Sequence, residues 1–251
     1  LKAGREVVRG KPETFNRPDY NFRLAGERTA PPTGDETVEI STRPRGSSLD
    51  LIVAEAMILA NSAWGGWLAE LGLPGIYRSQ ASLAPGIKVR MGIKPLPHAG
   101  MGVACYAWCT SPLRRYVDLV NQWQLIAAVR HGQTAPLVAP FKPKDANLFA
   151  ILSSFDAAYS AYNGFQSQIE RYWTLRYLQH NGISELTAST LRDGLVRADH
   201  LPLVFKALGC ESLERGAAVK VRVTGIDLLT LELHANLLER LGIGGGDRVC
   251  V

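Results

Sequence analysis

Residues 49–72, LDLIVAEAMILANSAWGGWLAELG, are apolar at nearly every position and lie between a serine pair and a glycine. Ser47 or Ser48 can accept from the first free N–H groups, and Gly72 suits a left-handed stop, so the segment predicts a helix from about Leu49 to Leu71. Its apolar residues fall on most faces rather than on one stripe, which requires a central place in a core. A chain of 251 residues with 46% apolar and 20% charged side chains is long enough to build that core and is not disordered. No uninterrupted apolar run reaches the ~18 residues of a membrane span, which argues against an integral membrane protein. The opening LKAGREVVRGK is charged and lacks the apolar centre of a signal peptide. The chain starts at Leu1 rather than Met, which leads us to expect a piece of a longer protein.

Around that helix the pattern alternates between strands, turns and further helices. Residues 1–48 are polar and broken by RPDY, PPTGDE and RPRGSS, with two strand-like runs, YNFRL at 20–24 and TVEIST at 37–42. A Pro- and Gly-rich stretch over 73–104 contains one further candidate strand, IKVRMGI. Helices are expected over 112–131, ended by Gly132, and from Asp145 to His180, stopped by Asn181-Gly182. Beyond Ile183 the period changes to that of strands, and VKVRVTGIDLLTLELHA at 219–235 reads as two strands with a turn at Gly225. The GIGGGD tail at 242–247 reads as a flexible end. These elements predict an α+β chain: a helix-rich part, 1–181, and a small β-rich module, 182–251.

Charge and cysteine usage bound the chemistry. The net charge of +5 permits polyanion binding without requiring it. Cys105, Cys109, Cys210 and Cys250 show no CxxC pair and no histidine at zinc-site spacing, so they read as buried free thiols in a reducing cytoplasm. Acidic residues are scattered, the only adjacent pairing being Asp35-Glu36 in a Pro- and Gly-rich loop, so no metal site is predicted on this chain. Walker, GxGxxG, GxSxG and HExxH motifs are absent from the sequence.

The segment Thr110-Ser111-Pro112-Leu113-Arg114-Arg115-Tyr116 carries the sharpest signal. With Thr110 or Ser111 as N-cap and Pro112 in the first helical position, both arginines fall in the first turn of a helix. Cations there are disfavoured by roughly 0.3–1 kcal/mol each unless an anion is present, so the doublet reads as a site for an external phosphate. The competing reading pairs Arg114 or Arg115 with Asp118, but one acid neutralises only one of them. Glu170, in QSQIERYWTLRYL, reads as a second candidate or as part of a solvated Glu–Arg face. Phe15, among Lys11, Asn16 and Arg17, is either a base-stacking ring or a small packing anchor. His98, alone in PLPHAGMG, reads as structural. Arg192, Arg197, Lys220 and Arg222 either track a phosphate backbone or form a solvated surface.

Taken in order, RPDYNFRL at 17–24, AEAMILAN at 54–61, GIYR at 75–78, PHAGMG at 97–102, CYAWCTSPLRRYVDLVNQW at 105–123 and ERYWTLRYL at 170–178 resemble the ribonuclease II / ribonuclease R family, whose catalytic core is the RNB domain. The likeness to that family's TSPxRRYxD signature is the most specific of these. The resemblance covers the C-terminal half of the core, and residues from about 183 resemble the OB-fold RNA-binding module that follows it. It implies a 3′→5′ exoribonuclease that hydrolyses single-stranded RNA to 5′-mononucleotides with Mg²⁺. By the same resemblance, Arg114 contacts the phosphate being cleaved, Glu170 lies near the 3′-terminal nucleotides, and Phe15 closes a stacking clamp. Arg115, Tyr116 and Asp118 belong to the signature and are assigned to support and orientation, with Arg115 and Tyr116 among the RNA-binding residues.

Three departures from the family pattern qualify this. The Mg²⁺-binding aspartates, and the clamp's tyrosines, belong to a segment upstream of everything present, so the partners implied are single-stranded RNA and the upstream N-terminal half of the same protein. Ala54-Glu55 stands where the family commonly has two adjacent glutamates, so Glu55 is left as the RNA-binding residue there and sugar discrimination is in doubt. The segment from Arg78 to Pro97 is short, and the OB region looks abbreviated. The chain alone is expected to be inactive. An alternative of a different class is a non-catalytic RNA-binding protein that retains the scaffold.

Overall fold

The computed structural model describes residues 1–12, 18–25, 31, 33, 36–84 and 86–241. Phe15, Asp35, Cys250 and the glycine-rich tail lie outside these, so the expectations placed on them have no structural counterpart here. The chain divides into two units by internal contact, one of residues 1–16 and 45–162, the other of 17–44 and 163–251. Residues 17–44 thus group with the C-terminal part of the chain.

The first unit contains α1 (Lys2–Arg9), α2 (Ser48–Glu70), the short strands β3 (Tyr77–Ser79) and β4 (Arg90–Gly92), α3 (Tyr116–His131), α4 (Ala135–Val138) and the first half of α5 (Ala146–His180). Helix α2 starts as its sequence dictates: the Ser47 hydroxyl accepts from the Asp50 N–H at 3.2 Å. It stops at Gly72, whose φ of +68° suits glycine, while Leu73 N–H returns to the Leu68 carbonyl at 2.9 Å. The expectation of a central core helix is met on one face only. Only Ile58, Asn61, Gly65 and Leu68 are buried, whereas Leu49 and Ile52 are 75% and 64% exposed. The buried face packs against residues 105–109 and 75–77, with Ala107 3.1 Å and Tyr77 3.3 Å from where a Cβ on Gly65 would stand. By length and composition α2 could also cross a membrane, so run length alone does not exclude a span.

Helix α1 was not legible in the polar opening of the chain. It buries none of its residues and is held from outside. Gly102, with φ +66°, lets the Arg5 carbonyl approach so closely that any Cβ would collide with it.

The second unit holds the antiparallel hairpin β1 (Asp19–Leu24) and β2 (Val38–Arg43), the rest of α5, and strands β5 (Glu185–Thr190), β6 (Leu195–Ala198), β7 (Val204–Leu208), β8 (Ala218–Asp227) and β9 (Glu232–Arg240). Those five strands close into a barrel in the order β5-β6-β7-β9-β8, antiparallel except for β7–β9. This is the five-stranded OB architecture. All five strands are present, so the abbreviation suggested by the sequence does not extend to the strand set. Alternate residues, among them Leu186, Ala188, Val196, Phe205, Val219, Val221 and Leu233, fill the interior. The turn expected at Gly225 lies instead between β8 and β9, where the Asp227 carboxylate accepts from Leu229 N–H at 2.8 Å and Thr230 N–H at 3.2 Å. Gly225 marks a register shift inside β8.

Candidate functional site

The stretch from Cys105 to Arg115 has almost no regular structure, yet side chains of two helices fix it at successive positions. From α2, the buried Asn61 accepts from Cys109 N–H at 3.0 Å and donates to the Tyr106 hydroxyl and Thr110 Oγ1 at 3.1 and 3.2 Å. From α3, Asn121 donates to the Trp108 and Ile76 carbonyls, both at 2.8 Å, and accepts from Ile76 N–H at 2.7 Å. Gln122 donates to the Cys109 carbonyl at 2.8 Å, and Asp118 accepts from Ser111 N–H at 2.9 Å. Beyond one bridge to β3 at Tyr77 and Ala107, the segment must find other partners for its backbone, and these side chains supply them.

The arginine doublet lies at the end of this stretch, four residues from where the sequence places it relative to α3. That helix begins at Tyr116, not Pro112. Residues 111–115 form a separate turn closed by Arg115 N–H to the Ser111 carbonyl at 3.0 Å, after which Arg115 is extended, with φ −132° and ψ 115°. Pro112 is thus compatible with the turn it opens, but the turn does not continue into the helix. The cause is Asp118: it occupies the third position of α3, favourable for an acid, and its carboxylate pulls both Ser111 N–H and Arg115 back onto the helix start.

The two arginines then separate in role. Arg115 Nη2 meets Asp118 Oδ1 at 2.7 Å, with Asp118 fully buried, and its guanidinium lies 3.9 Å above the centre of the Trp108 ring. Arg114 is exposed; its one side-chain bond is a long 3.5 Å contact from Nη2 to Ser111 Oγ, and among the described residues no carboxylate pairs with it. The competing reading of the doublet therefore holds for Arg115 and fails for Arg114. Two residues beyond Arg114, α3 starts without a side-chain cap, so the positive end of its dipole lies close to Arg114 in the chain. Tyr116 is 47% exposed and stands edge-on to Trp123 at 6.1 Å.

The remaining candidates have partners of their own. Glu55, on α2, forms a two-pronged ion pair with Arg5 of α1, in which Nε donates to Oε2 at 3.0 Å, and the Arg5 hydrogen bond holds its carboxyl below the usual range. Glu170 belongs to the second unit and accepts from Gln166, one turn earlier on α5, at 2.8 Å. Next to it, Arg171 donates to the Leu231 and Val204 carbonyls at 2.5 and 2.8 Å, which fastens α5 to the barrel. Lys220 and Arg222 share the exposed Glu185, at 2.7 and 3.0 Å. His98 is buried and accepts from Met101 N–H at Nδ1, 3.2 Å away, in keeping with a structural role. Cys105, Cys109 and Cys210 are buried free thiols, and burial pushes Cys109 up to about 12. Among the described residues no group of three or more His, Cys, Asp or Glu side chains gathers in a way that could hold a metal ion.

What sequence reasoning missed is the part played by Asn61, Asn121, Gln122 and Trp108. Their polar or aromatic character inside apolar helices and beside the signature was the available signal.

Comparison with known proteins adds the following. The sequence profile of the RNB domain matches residues 87–131, which contain the whole 105–123 segment. An uncharacterized ribonuclease of Synechocystis is 32% identical over 202 residues, covering 70% of this chain and 29% of the relative. The mitochondrial exoribonuclease II of Saccharomyces cerevisiae is 28% identical over 213 residues, 71% of this chain and 20% of its own length. Among solved structures, Mycoplasma genitalium RNase R in complex with double-stranded RNA superposes with a TM-score of 0.69 at 12% identity, over 94% of this chain and 48% of that one. The Dss1 exoribonuclease of Candida glabrata gives 0.65 at 21% identity, over 80% and 30%. The chain thus spans less than a third of these curated relatives.

Proposed function

Since this chain belongs to the ribonuclease II / ribonuclease R family defined by the RNB domain, we propose that it is the phosphate-gripping and RNA-guiding part of a 3′→5′ exoribonuclease that releases 5′-mononucleotides from single-stranded RNA. The observation that carries this reading is the division of labour in the doublet: Arg115 is neutralised by Asp118, and Arg114 is left exposed beside an uncapped helix start. A phosphodiester there meets a guanidinium able to bind two of its oxygens, together with backbone N–H groups. As charge builds on the phosphate oxygens during attack by water, a guanidinium brought to bear on them favours the transition state over the ground state. Arg114 therefore acts on the chemical step more than on binding. In the same proposal Glu170 serves the 3′-terminal nucleotides, Phe15 contributes to base stacking, and the barrel guides the strand.

Mg²⁺ is the metal this family resemblance implies, where it would activate water and neutralise phosphate charge. The described residues do not gather a ligand set for it, so we assign the aspartate ligands to an upstream segment and derive no step through the metal from this chain. A second reading, a non-catalytic RNA-binding protein, is favoured by one observation: Glu55, beside Ala54, is occupied by Arg5 rather than free to meet a ribose. The experiment that separates them is reconstitution. Residues 1–251 with Mg²⁺ are expected to release no mononucleotides, and co-expression with the upstream segment is expected to restore release. Robust Mg²⁺-dependent hydrolysis by 1–251 alone would overturn the assignment, and no hydrolysis by the reconstituted protein would favour the binder.

A further inference from the structure

Arg78 is a half-buried cation with no ion pair among the described residues. It sits on β3, where its N–H donates to the Tyr106 carbonyl at 2.7 Å, and its guanidinium lies 4.2 Å from the centre of the same Trp108 ring that carries Arg115. Among the described residues no carboxylate lies within ion-pair distance of it, and its Nε is buried without an acceptor. Burial holds its pKa below the ordinary arginine range, and Tyr159, Tyr106, Arg115 and Asp156 act on it electrostatically, as Arg78 does on His98. Trp108 is itself buried, with Tyr159 edge-on at 5.7 Å. For folding alone this is a poor choice: a methionine would fill a similar volume with no charge to desolvate.

The ring that Arg78 covers is connected to the phosphate site by short steps. Trp108 carries Arg115; Arg115 binds Asp118 at 2.7 Å; Asp118 holds Ser111 N–H at 2.9 Å; and residues 111–115 form the turn on which Arg114 stands. We propose that Arg78 is a positioning residue of the phosphate site: by holding Trp108 it fixes Arg115 and the 111–115 turn, and so fixes where Arg114 meets the phosphate. Two guanidinium groups on one indole restrain the ring more tightly than either does alone. An ammonium does not replace Arg78, because it lacks the planar face that stacks on the ring. The inference rests on the reading that Arg114 contacts the scissile phosphate.

The test is single-turnover hydrolysis of a labelled oligoribonucleotide by the complete enzyme that contains this chain, with thermal unfolding measured alongside. Arg78→Met is expected to slow the chemical step about tenfold while its melting temperature stays level or rises, because a buried charge has been removed. Arg78→Lys is expected to show a similar loss of rate, so it carries the test should the methionine variant fail to fold. Added to Arg114→Ala, Arg78→Met should bring no further loss, since it acts only through Arg114. A rate within twofold of wild type for Arg78→Met, beside a slow Arg114→Ala, overturns the inference alone. So does a loss of rate that tracks a lowered melting temperature and multiplies with that of Arg114→Ala. A wild-type rate for Arg114→Ala overturns instead the reading on which the inference rests.

Discussion

Asn121→Ala tests how the signature segment is held. The Asn121 amide is fully buried and makes three bonds, accepting from Ile76 N–H at 2.7 Å and donating to the Ile76 and Trp108 carbonyls at 2.8 Å each. Truncation removes all three and leaves one N–H and two carbonyls unpaired among Ile76, Trp108 and Val117, which are buried apolar neighbours. Each orphaned group costs about 1–3 kcal/mol. Three of them, partly relieved by local relaxation, give about 4 kcal/mol, equivalent to a fall of roughly 10–15 °C in the melting temperature of a unit this size. The assay is urea and thermal unfolding, with the barrel followed separately because the chain forms two units. We expect the loss in the first unit only. Gln122→Ala, which removes one bond to the Cys109 carbonyl, supplies the graded comparison at about 1 kcal/mol. A cost below 1 kcal/mol for Asn121→Ala, or an equal shift of the barrel transition, would refute the view that these amides hold the segment.

Two further outcomes follow from the buried thiols and the ion pair on α2. Cys109, pushed up to about 12 by burial, is expected to resist alkylation at pH 8 in the folded protein and to react once urea unfolds it; rapid native labelling at this position contradicts its burial. Glu55 titrates below its unfolded value because of Arg5, so the pair's contribution is complete above about pH 5 and is lost as pH falls through the lowered folded value. Protection of the α1 amides against hydrogen exchange should therefore drop as pH falls below about 5 in the wild type. In Glu55→Gln it should be low throughout and flat, and a parallel drop in that variant would assign the effect to another carboxylate.

Elements whose ends are set by local chemistry were legible in the sequence. Ser47 and Gly72 bound α2, Gly182 with φ +60° follows α5, and the alternation in 185–235 gives the barrel its interior. Features set by tertiary contact were not. The start of α3 is displaced because Asp118, four residues beyond Arg114, recruits Ser111 and Arg115, an arrangement that depends on Trp108 arriving from the preceding segment. Helix α1 escaped notice because its amphipathic pattern is short and its anchor, Arg5, meets Glu55 fifty positions away. The exposure of Leu49 and Ile52 was equally hidden, since composition reports that a helix is apolar but not which of its faces this chain covers. At the site, the doublet was visible as a pair, while the fate of each member depended on a single buried acid.

The central claim is that Arg114, which has no ion pair among the described residues, and not its neutralised neighbour, works on the phosphate. It is tested most directly by Arg114→Ala in the complete enzyme, with single-turnover cleavage measured beside an RNA-binding titration at fixed salt. The account predicts a chemical step slower by about 100-fold and a dissociation constant within about threefold of wild type, the signature of an interaction made mainly in the transition state. Equal losses in rate and affinity, or an unchanged rate, would contradict it.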